Sequence, residues 1–399
     1  MDKYLETLEY PKILKRLAEY TSFSAGRVLA ESLLPSTEWE EAQKRQQETS
    51  EAKHLLDVRP DTTMGGARDV RPLLRNANLG LALEPLDLLS IRNTLVSAQN
   101  LHRILTRLHE QYPLLADLAE SISDETHLVD EISRCINERG EVMDSASPAL
   151  ERIRREMTIA HDRLLDRLNK MVGSSDVARY LQESLVTLRG GRYVIPLRSD
   201  FRGRVPGIVH DQSASGATLF IEPLAAVELN NQWRELQLQE QHEVRRILLE
   251  LSGLAADSAD TITVTVETLA RLDLAFAKAR YSHALRAIEP TLLHLDAKPT
   301  QESGAAPPGK LLWLRRARHP LLSQETVVPI DVELGGDFTI LLITGPNTGG
   351  KTVALKTVGL LSLMAQAGLH LPVREDSAIA VFEGVYADIG DEQSIEQSL

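Results

Sequence analysis

The residues Gly345-Pro346-Asn347-Thr348-Gly349-Gly350-Lys351-Thr352 set glycines, a lysine and a hydroxyl in the order G-x-x-x-x-G-K-[ST]. That is the spacing of a loop that wraps a phosphate chain. Glycines let backbone amides close around phosphate oxygens, and the start of a following helix adds positive potential. Lys351 is placed to reach the β- and γ-phosphates, and the Thr352 hydroxyl is suited to ligate magnesium. The expectation is a site for ATP with Mg2+, in which Gly345 to Thr352 bind the cofactor, Lys351 and Thr352 act in catalysis, and Thr352 holds the metal. The flanks agree with it. Phe338 to Thr344 reads as a buried strand, and Val353 to Gly368 as a helix with no internal proline.

A second group of residues is electrostatic. Arg189, Arg192, Arg198, Arg202 and Arg204 stand close together, with Asp200 the one acid among them. Such a local reversal of charge suits contact with a phosphate backbone, or else it is the solvated face of a small sheet. Other polar residues point to less. His319 in Arg318-His319-Pro320 and His370 in Leu369-His370-Leu371-Pro372 lack partners at metal-ligand spacing and read as structural. His210 lies near Asp211 and Ser213, but no nucleophile elbow accompanies it. The acidic run Asp388 to Glu396 reads, on its own, as a solvated loop.

The elements that must position these groups are mostly helical. Leu5, Leu8, Ile13, Leu14 and Leu17 recur at helical spacing, with Pro11 near a helix start where its missing N–H is tolerated. Helical patterns continue through Thr37–Asp57, Pro85–Glu110 and Leu114–Ile122, so residues 1–125 read as an all-helical domain. From Pro148 to Met171, the residues Leu150, Ile153, Met157, Ala160, Leu164, Leu168 and Met171 step by three and four, like a coiled-coil seam. A second run starts at Leu229 and carries Trp233, Leu236, Glu240, Val244, Ile247, Leu251 and Leu254. Between the two runs, residues 185–222 hold β-rich stretches divided by glycine turns. The simplest geometry is a pair of helical arms carrying a β tip, about 24 helical residues or roughly 35 Å out. The arms and tip make a segment 126–290, and a third helical run from Leu269 to Ala287 leads to the Pro/Gly/Ala-rich link Gln301 to Gly309. Strands then alternate with a helix over 300–399. The expected fold is mainly α with a β-rich clamp tip, plus the first half of an α/β P-loop ATPase domain.

Composition narrows the class. The chain has 399 residues, 43% hydrophobic and 25% charged, which fits a globular protein of two or three domains. A net charge of −13 argues against indiscriminate coating of nucleic acid, though not against a local basic patch. Cys135 is the single cysteine, so an intrachain disulfide and a cysteine-based zinc site are excluded. The N-terminus lacks the apolar core of a signal peptide, and nowhere do roughly 18 uninterrupted apolar residues occur. The expectation is a cytoplasmic protein with no membrane partner.

These residues resemble the MutS-type ATPases, of the MutS/ABC-type P-loop class. The loop in its Gly-Pro-Asn-x-Gly-Gly-Lys-Thr form is characteristic of that family, as are Arg318-His319-Pro320 and Gln366-Ala367-Gly368-Leu369-His370-Leu371-Pro372. Asp388-Ile389-Gly390-Asp391-Glu392 looks like the opening of the family's signature segment. Within the family, the stretch from Ser215 to Pro223, then Asn230-Asn231, and the opening Leu8 to Leu14 are very similar to the MutS-two branch. The resemblance covers essentially the whole chain and starts at the helical lever, without the family's mismatch-reading domain.

The resemblance implies a homodimeric clamp ATPase that grips a nucleic-acid assembly and changes shape with nucleotide. Two targets stay open. One is branched DNA, whose binding would suppress recombination. The other is a stalled or collided ribosome, contacted through ribosomal RNA and split by ATP-driven motion; the missing mismatch reader tilts the reading towards it. The family's Walker B acids, its small basic β domain and its C-terminal Smr nuclease domain are not among these residues, so a truncated ATPase domain with poor hydrolysis is expected. A non-catalytic, dimerising clamp is one alternative. A coiled-coil chromosome ATPase of the SMC or Rad-fifty type is another, but it would carry the phosphate loop ahead of its coiled coil, whereas Lys351 follows it.

Overall fold

The structure is a computed structural model that describes residues 2–294, 306–345 and 350–389. In chain order the helices are α1 (Asp2–Thr7), α2 (Tyr10–Ala18), α3 (Ser24–Glu31), α4 (Trp39–Val58), α5 (Arg71–Asn78), α6 (Pro85–Arg107), α7 (Pro113–Ala119), α8 (Thr126–Cys135), α9 (Pro148–Val172), α10 (Ser175–Ala178), α11 (Leu224–Asp257), α12 (Ala259–Leu285) and α13 (Lys351–Gln366). The strands are β1 (Thr187–Arg189), β2 (Arg192–Arg198), β3 (Gly207–Gln212), β4 (Thr218–Pro223), β5 (Thr291–Leu293), β6 (Lys310–Ala317), β7 (Ile330–Gly335) and β8 (Ala378–Ala380). The fold is therefore mainly α with two small sheets. Among the described residues, no helix is long and apolar enough to cross a membrane.

The chain forms two compact units built from non-contiguous segments. One contains residues 1–72, 93–125 and 258–399, the other 73–92 and 126–257. In the first, Ile13 and Leu17 of α2, Ala277 and Tyr281 of α12, Leu314 of β6, and Leu360 and Met364 of α13 share one core. Each large aliphatic side chain buried there contributes about 2 kcal/mol. The helix α12 is buried on most of its circumference and also carries Asp273, which accepts from the backbone N–H groups of Ser22 (2.8 Å) and Phe23 (3.3 Å). Those are the amides of the α3 N-cap, Phe23, and of the residue before it. Burial nonetheless pushes the Asp273 carboxyl up from its ordinary value, against the backbone bonds. Gly26 lets α3 come this close, because a Cβ there would lie 2.2 Å from the Asp273 carboxylate.

The sheet of the first unit has the order β5-β8-β6-β7, with β5 and β8 parallel and the remaining pairs antiparallel. The run from Phe338 to Thr344 differs from expectation. Phe338 makes one bridge to Gly335, and no strand follows. Ile340 and Leu342 are more than four-fifths exposed. An apolar run is buried as a strand only where neighbouring strands pair with it, and none of the described strands does so. The helix after the loop forms as expected and ends at Gln366.

In the second unit α9 packs lengthwise on α11. Leu150, Ile153, Ala160, Leu164 and Leu168 form the α9 seam, and Val172, not Met171, is buried at its end. The facing residues of α11 include Trp233, Leu236, Ile247 and Leu251. That helix starts at Leu224, five residues earlier than the periodicity suggested, because it leaves β4 directly. Ser147 caps α9 by accepting from the Leu150 N–H at 3.0 Å, and its hydroxyl donates to Glu243 of α11 at 2.7 Å. Arg246 and Ser147 together hold the Glu243 carboxyl down at about 2. Between the arms lies an antiparallel sheet in the order β1-β2-β4-β3.

Candidate nucleotide loop and clamp tip

The two ends of the glycine loop are described, while Pro346, Asn347, Thr348 and Gly349 lie outside the described residues. Gly345 has φ +145° and Gly350 has φ +78°, values that side-chain-bearing residues rarely adopt. Gly350 caps α13, and among the described residues no atom lies within 4 Å of where a Cβ would stand on either glycine. Lys351, the first residue of α13, turns back so that Nζ donates to the Gly345 carbonyl at 2.6 Å. Thr352 is exposed, and the first turn of α13 holds no acid. A helix start without an acid in its first turn, preceded by a glycine in the left-handed region, fits an anion in chemistry.

The rest of α13 is gripped along its length. Lys356 Nζ donates to Glu9 at 3.3 Å, and both residues are buried. Glu9 stands in the left-handed region (φ +61°) between α1 and α2 and also accepts from Lys12 at 2.7 Å. Burial pushes its carboxyl up, but the bonds and charges of Lys12 and Lys356 outweigh that and bring it below the ordinary value. Beside this pair lies Arg318-His319-Pro320, held by Arg16, which donates to the carbonyls of Pro320 and Leu321 at 3.1 Å each. His319 Nδ1 accepts from the Leu321 N–H at 3.3 Å, while its buried Nε2 has no partner among the described residues. Burial pushes this imidazole down to about 4, so it is neutral.

At the far end of α13, Gln46 of α4 donates to the carbonyls of Ala365 (2.8 Å) and Leu369 (2.9 Å). Thr49 donates to Gly368 at 2.6 Å, and the fully buried Lys278 of α12 donates to Ala367 at 2.8 Å. Burial pushes the Lys278 ammonium down to about 8. A cation at this position also complements the negative end of the helix dipole. Gln366 closes the corner by donating to the Ser36 and Phe382 carbonyls. His370 lies between the hydroxyls of Ser50 (3.0 Å) and Ser282 (2.9 Å), and burial lowers its imidazole to about 3. Both histidines therefore sit in the packed interior, as the sequence suggested.

At the tip, the five arginines meet different surroundings. Arg192 donates at 2.7 Å to Glu222, whose side chain is fully buried, and at 2.7 Å to Asn231. His210, the bulged residue where the β3–β4 register shifts, meets the other Glu222 oxygen at 2.6 Å. Arg189 lies 3.5 Å from Asp211 and over the Phe220 ring. Arg198 donates to the Arg179 carbonyl and lies over Phe201. Arg202 and Arg204 are exposed and form no ion pair among the described residues. The neighbouring β3 is an exposed edge strand, paired only with β4. Asn230 explains part of the Asn230-Asn231 pair: it accepts from the Tyr193 N–H and donates to the Tyr193 carbonyl, both at 3.0 Å, and so ties α11 to β2.

Sequence reasoning did not find Glu9, Gln46, Thr49, Lys278 or Lys356. Their partners stand far away in the chain, and no local spacing marks them.

Comparison with known proteins follows the same lines. Residues 341–399 match the MutS domain V family. The proteins named Endonuclease MutS2 from Geobacillus sp. (strain WCH70) and Symbiobacterium thermophilum are 44% and 48% identical over the whole chain, which covers 49% and 48% of their lengths. The Endonuclease MutS2 of Thermomicrobium roseum is 48% identical over 99% of the chain and 50% of its own length. The chain thus spans about half the length of the curated relatives it matches. With such identity running from α1 through the glycine loop, the chain belongs to the MutS family, in the branch of the proteins named MutS2.

Proposed function

We propose that this chain is the nucleotide-binding and nucleic-acid-gripping part of a MutS-type ATPase. The observation that carries this reading is the return of Lys351 from the start of α13 to the Gly345 carbonyl, between two glycines in conformations open to close approach. Bound magnesium nucleotide would supply the electrophilic phosphorus and the charge that such a loop stabilises. Lys351 would exchange its carbonyl contact for phosphate oxygens, and the Thr352 hydroxyl would join the magnesium shell. Backbone amides at the start of α13 would add donors. Of the five arginines between positions 189 and 204, Arg202 and Arg204 are the two that are exposed without an ion pair or ring contact among the described residues, and so are available to a phosphate backbone. The relatives named as endonucleases act on nucleic acid, which agrees with that assignment.

In the homodimeric full-length protein, the favoured target is the stalled ribosome, with branched DNA the competing one. Phosphate contacts serve both, and no described element of the tip has the form of a helix presented to a major groove. Two measurements test the reading. A fluorescent ATP analogue with Mg2+ should bind the wild type and lose at least tenfold in affinity with Lys351→Ala; equal binding would refute the loop assignment. In the full-length protein, salt-matched competition between collided ribosomes and a four-way DNA junction should favour ribosomes. Preference for the junction would assign the recombination role instead.

A further inference from the structure

A cleft of about 510 Å³ opens at the tip, a volume in the range of small-ligand sites. Its wall is apolar: Val177 after the first arm, Val205 and Pro206 before β3, and Leu224 at the start of α11. Arg179 and Arg204 belong to the lining and are both exposed, and Asp176 is the one acid among the lining residues. Tyr180 also lines it, and the Tyr180 hydroxyl has no hydrogen-bond partner among the described residues. The Arg179 guanidinium lies 4.8 Å from the Tyr180 ring centroid, the Phe201 ring lies 5.1 Å beyond, and Arg198 covers Phe201 at 4.7 Å. Cation and aromatic groups thus alternate from Arg179 and Tyr180 in the lining to Phe201 and Arg198 behind it.

That combination fits one kind of guest. An apolar wall with an aromatic ring accepts the flat face of a base, and exposed guanidinium groups in the same lining accept the phosphates on either side of it. A phenol hydroxyl without a partner can bond a base edge, which is exposed only when the base leaves its stack. A paired duplex offers phosphates to Arg202 and Arg204 but nothing to fill the cleft. We propose that the cleft lined by Val177, Tyr180, Val205 and Pro206 takes one unpaired nucleobase of the bound nucleic acid, with its flanking phosphates on Arg179 and Arg204. This rests on the reading of the tip as a nucleic-acid contact and adds to it a preference for bulged or single-stranded segments.

The test uses duplexes carrying one unpaired 2-aminopurine, made in RNA and in DNA, with fully paired duplexes as controls at matched salt. The protein should bind the bulged duplex roughly tenfold tighter than the paired one, the gain expected from stacking one base. Binding should also change the 2-aminopurine fluorescence. Tyr180→Ala should bring the bulged duplex down to the paired level. Ala225→Trp, at an exposed lining position, should do the same by filling the cleft, and so keeps the test meaningful if Tyr180→Ala folds poorly. Arg202→Ala with Arg204→Ala should weaken both duplexes. A larger gain for the RNA series than for DNA would identify RNA as the source of the base. Equal binding of bulged and paired duplexes by wild type, or a preference that survives Ala225→Trp, would overturn the cleft alone. No binding of any duplex would overturn the nucleic-acid reading of the tip and the cleft with it.

Discussion

Glu9 and Lys356, 347 positions apart, form a buried ion pair 3.3 Å long that joins the break between α1 and α2 to the middle of α13. Removing one member of a buried pair leaves the other charge uncompensated, and that costs more than the pair itself contributes. Lys12 remains to neutralise part of Glu9. Lys356→Met should therefore destabilise the protein by about 3 kcal/mol in urea unfolding, and Glu9→Gln added to it should restore a good part of the loss. A double variant as unstable as the single one would show that the damage is packing and not charge.

The arginines of the tip should separate by role. Arg192→Ala strips a donor from the fully buried Glu222 and should cost about 2–4 kcal/mol of stability. Arg202→Ala and Arg204→Ala lie on the exposed loop and should change stability by less than about 0.5 kcal/mol. Their effect belongs to binding, where loss of phosphate contacts should flatten the salt dependence of nucleic-acid affinity. Unfolding curves and salt titrations on the two sets check this; a stable Arg192→Ala protein would contradict it.

Acid should weaken the first unit in a defined window. His319 and His370 are held near 4 and near 3, against an ordinary value of 6.5, because burial favours their neutral forms. The unfolded chain takes up protons below about pH 6.5 while the folded chain does not, so stability is full above that value and falls as the pH drops. Each histidine contributes a slope of about 1.4 kcal/mol per pH unit. Urea midpoints measured from pH 7 to 5 should fall accordingly, and His370→Asn should reduce the slope. An unchanged slope would mean that His370 is protonated in the folded state.

Gly368 should resist any side chain. It ends α13 with φ +77°, and a Cβ there would lie 2.4 Å from the Cβ of Arg45. Gly368→Ala adds left-handed strain of about 1–2 kcal/mol to a clash that the backbone of α4 cannot yield to easily. A lower thermal midpoint is expected, and an unchanged midpoint would show that α4 moves aside.

The sequence made some of this legible and hid the rest for physical reasons. Helical spacing placed α9 and α11 because their seam residues repeat within each helix, and the Pro11 signal found the start of α2. The α11 start was read late because a helix leaving a strand directly shows no punctuation. The Phe338–Thr344 run is apolar yet forms no strand, because strand burial depends on neighbours, which an apolar run does not specify. The glycine-lysine-threonine spacing of the loop is legible in residue order alone, while four of its residues lie outside the described ones. What holds its helix could not be read there: the Lys278 bond to Ala367 joins positions whose proximity only the fold creates. Nor could residue types show that Arg192 faces a buried carboxylate while Arg202 faces solvent.

The grip on the far end of α13 has a consequence for hydrogen exchange. Side chains from α4 and α12 close the last carbonyls of the helix, so amides near Leu363 and Ala365 should exchange only when the whole unit opens. Amides of the first turn, next to Lys351, have no such cover among the described residues and should exchange by local fraying. One helix thus holds both a slow and a fast clock. A ligand at the glycine loop would slow the fast clock first, whereas a change in global stability would move the slow one, so occupancy could be followed without any turnover.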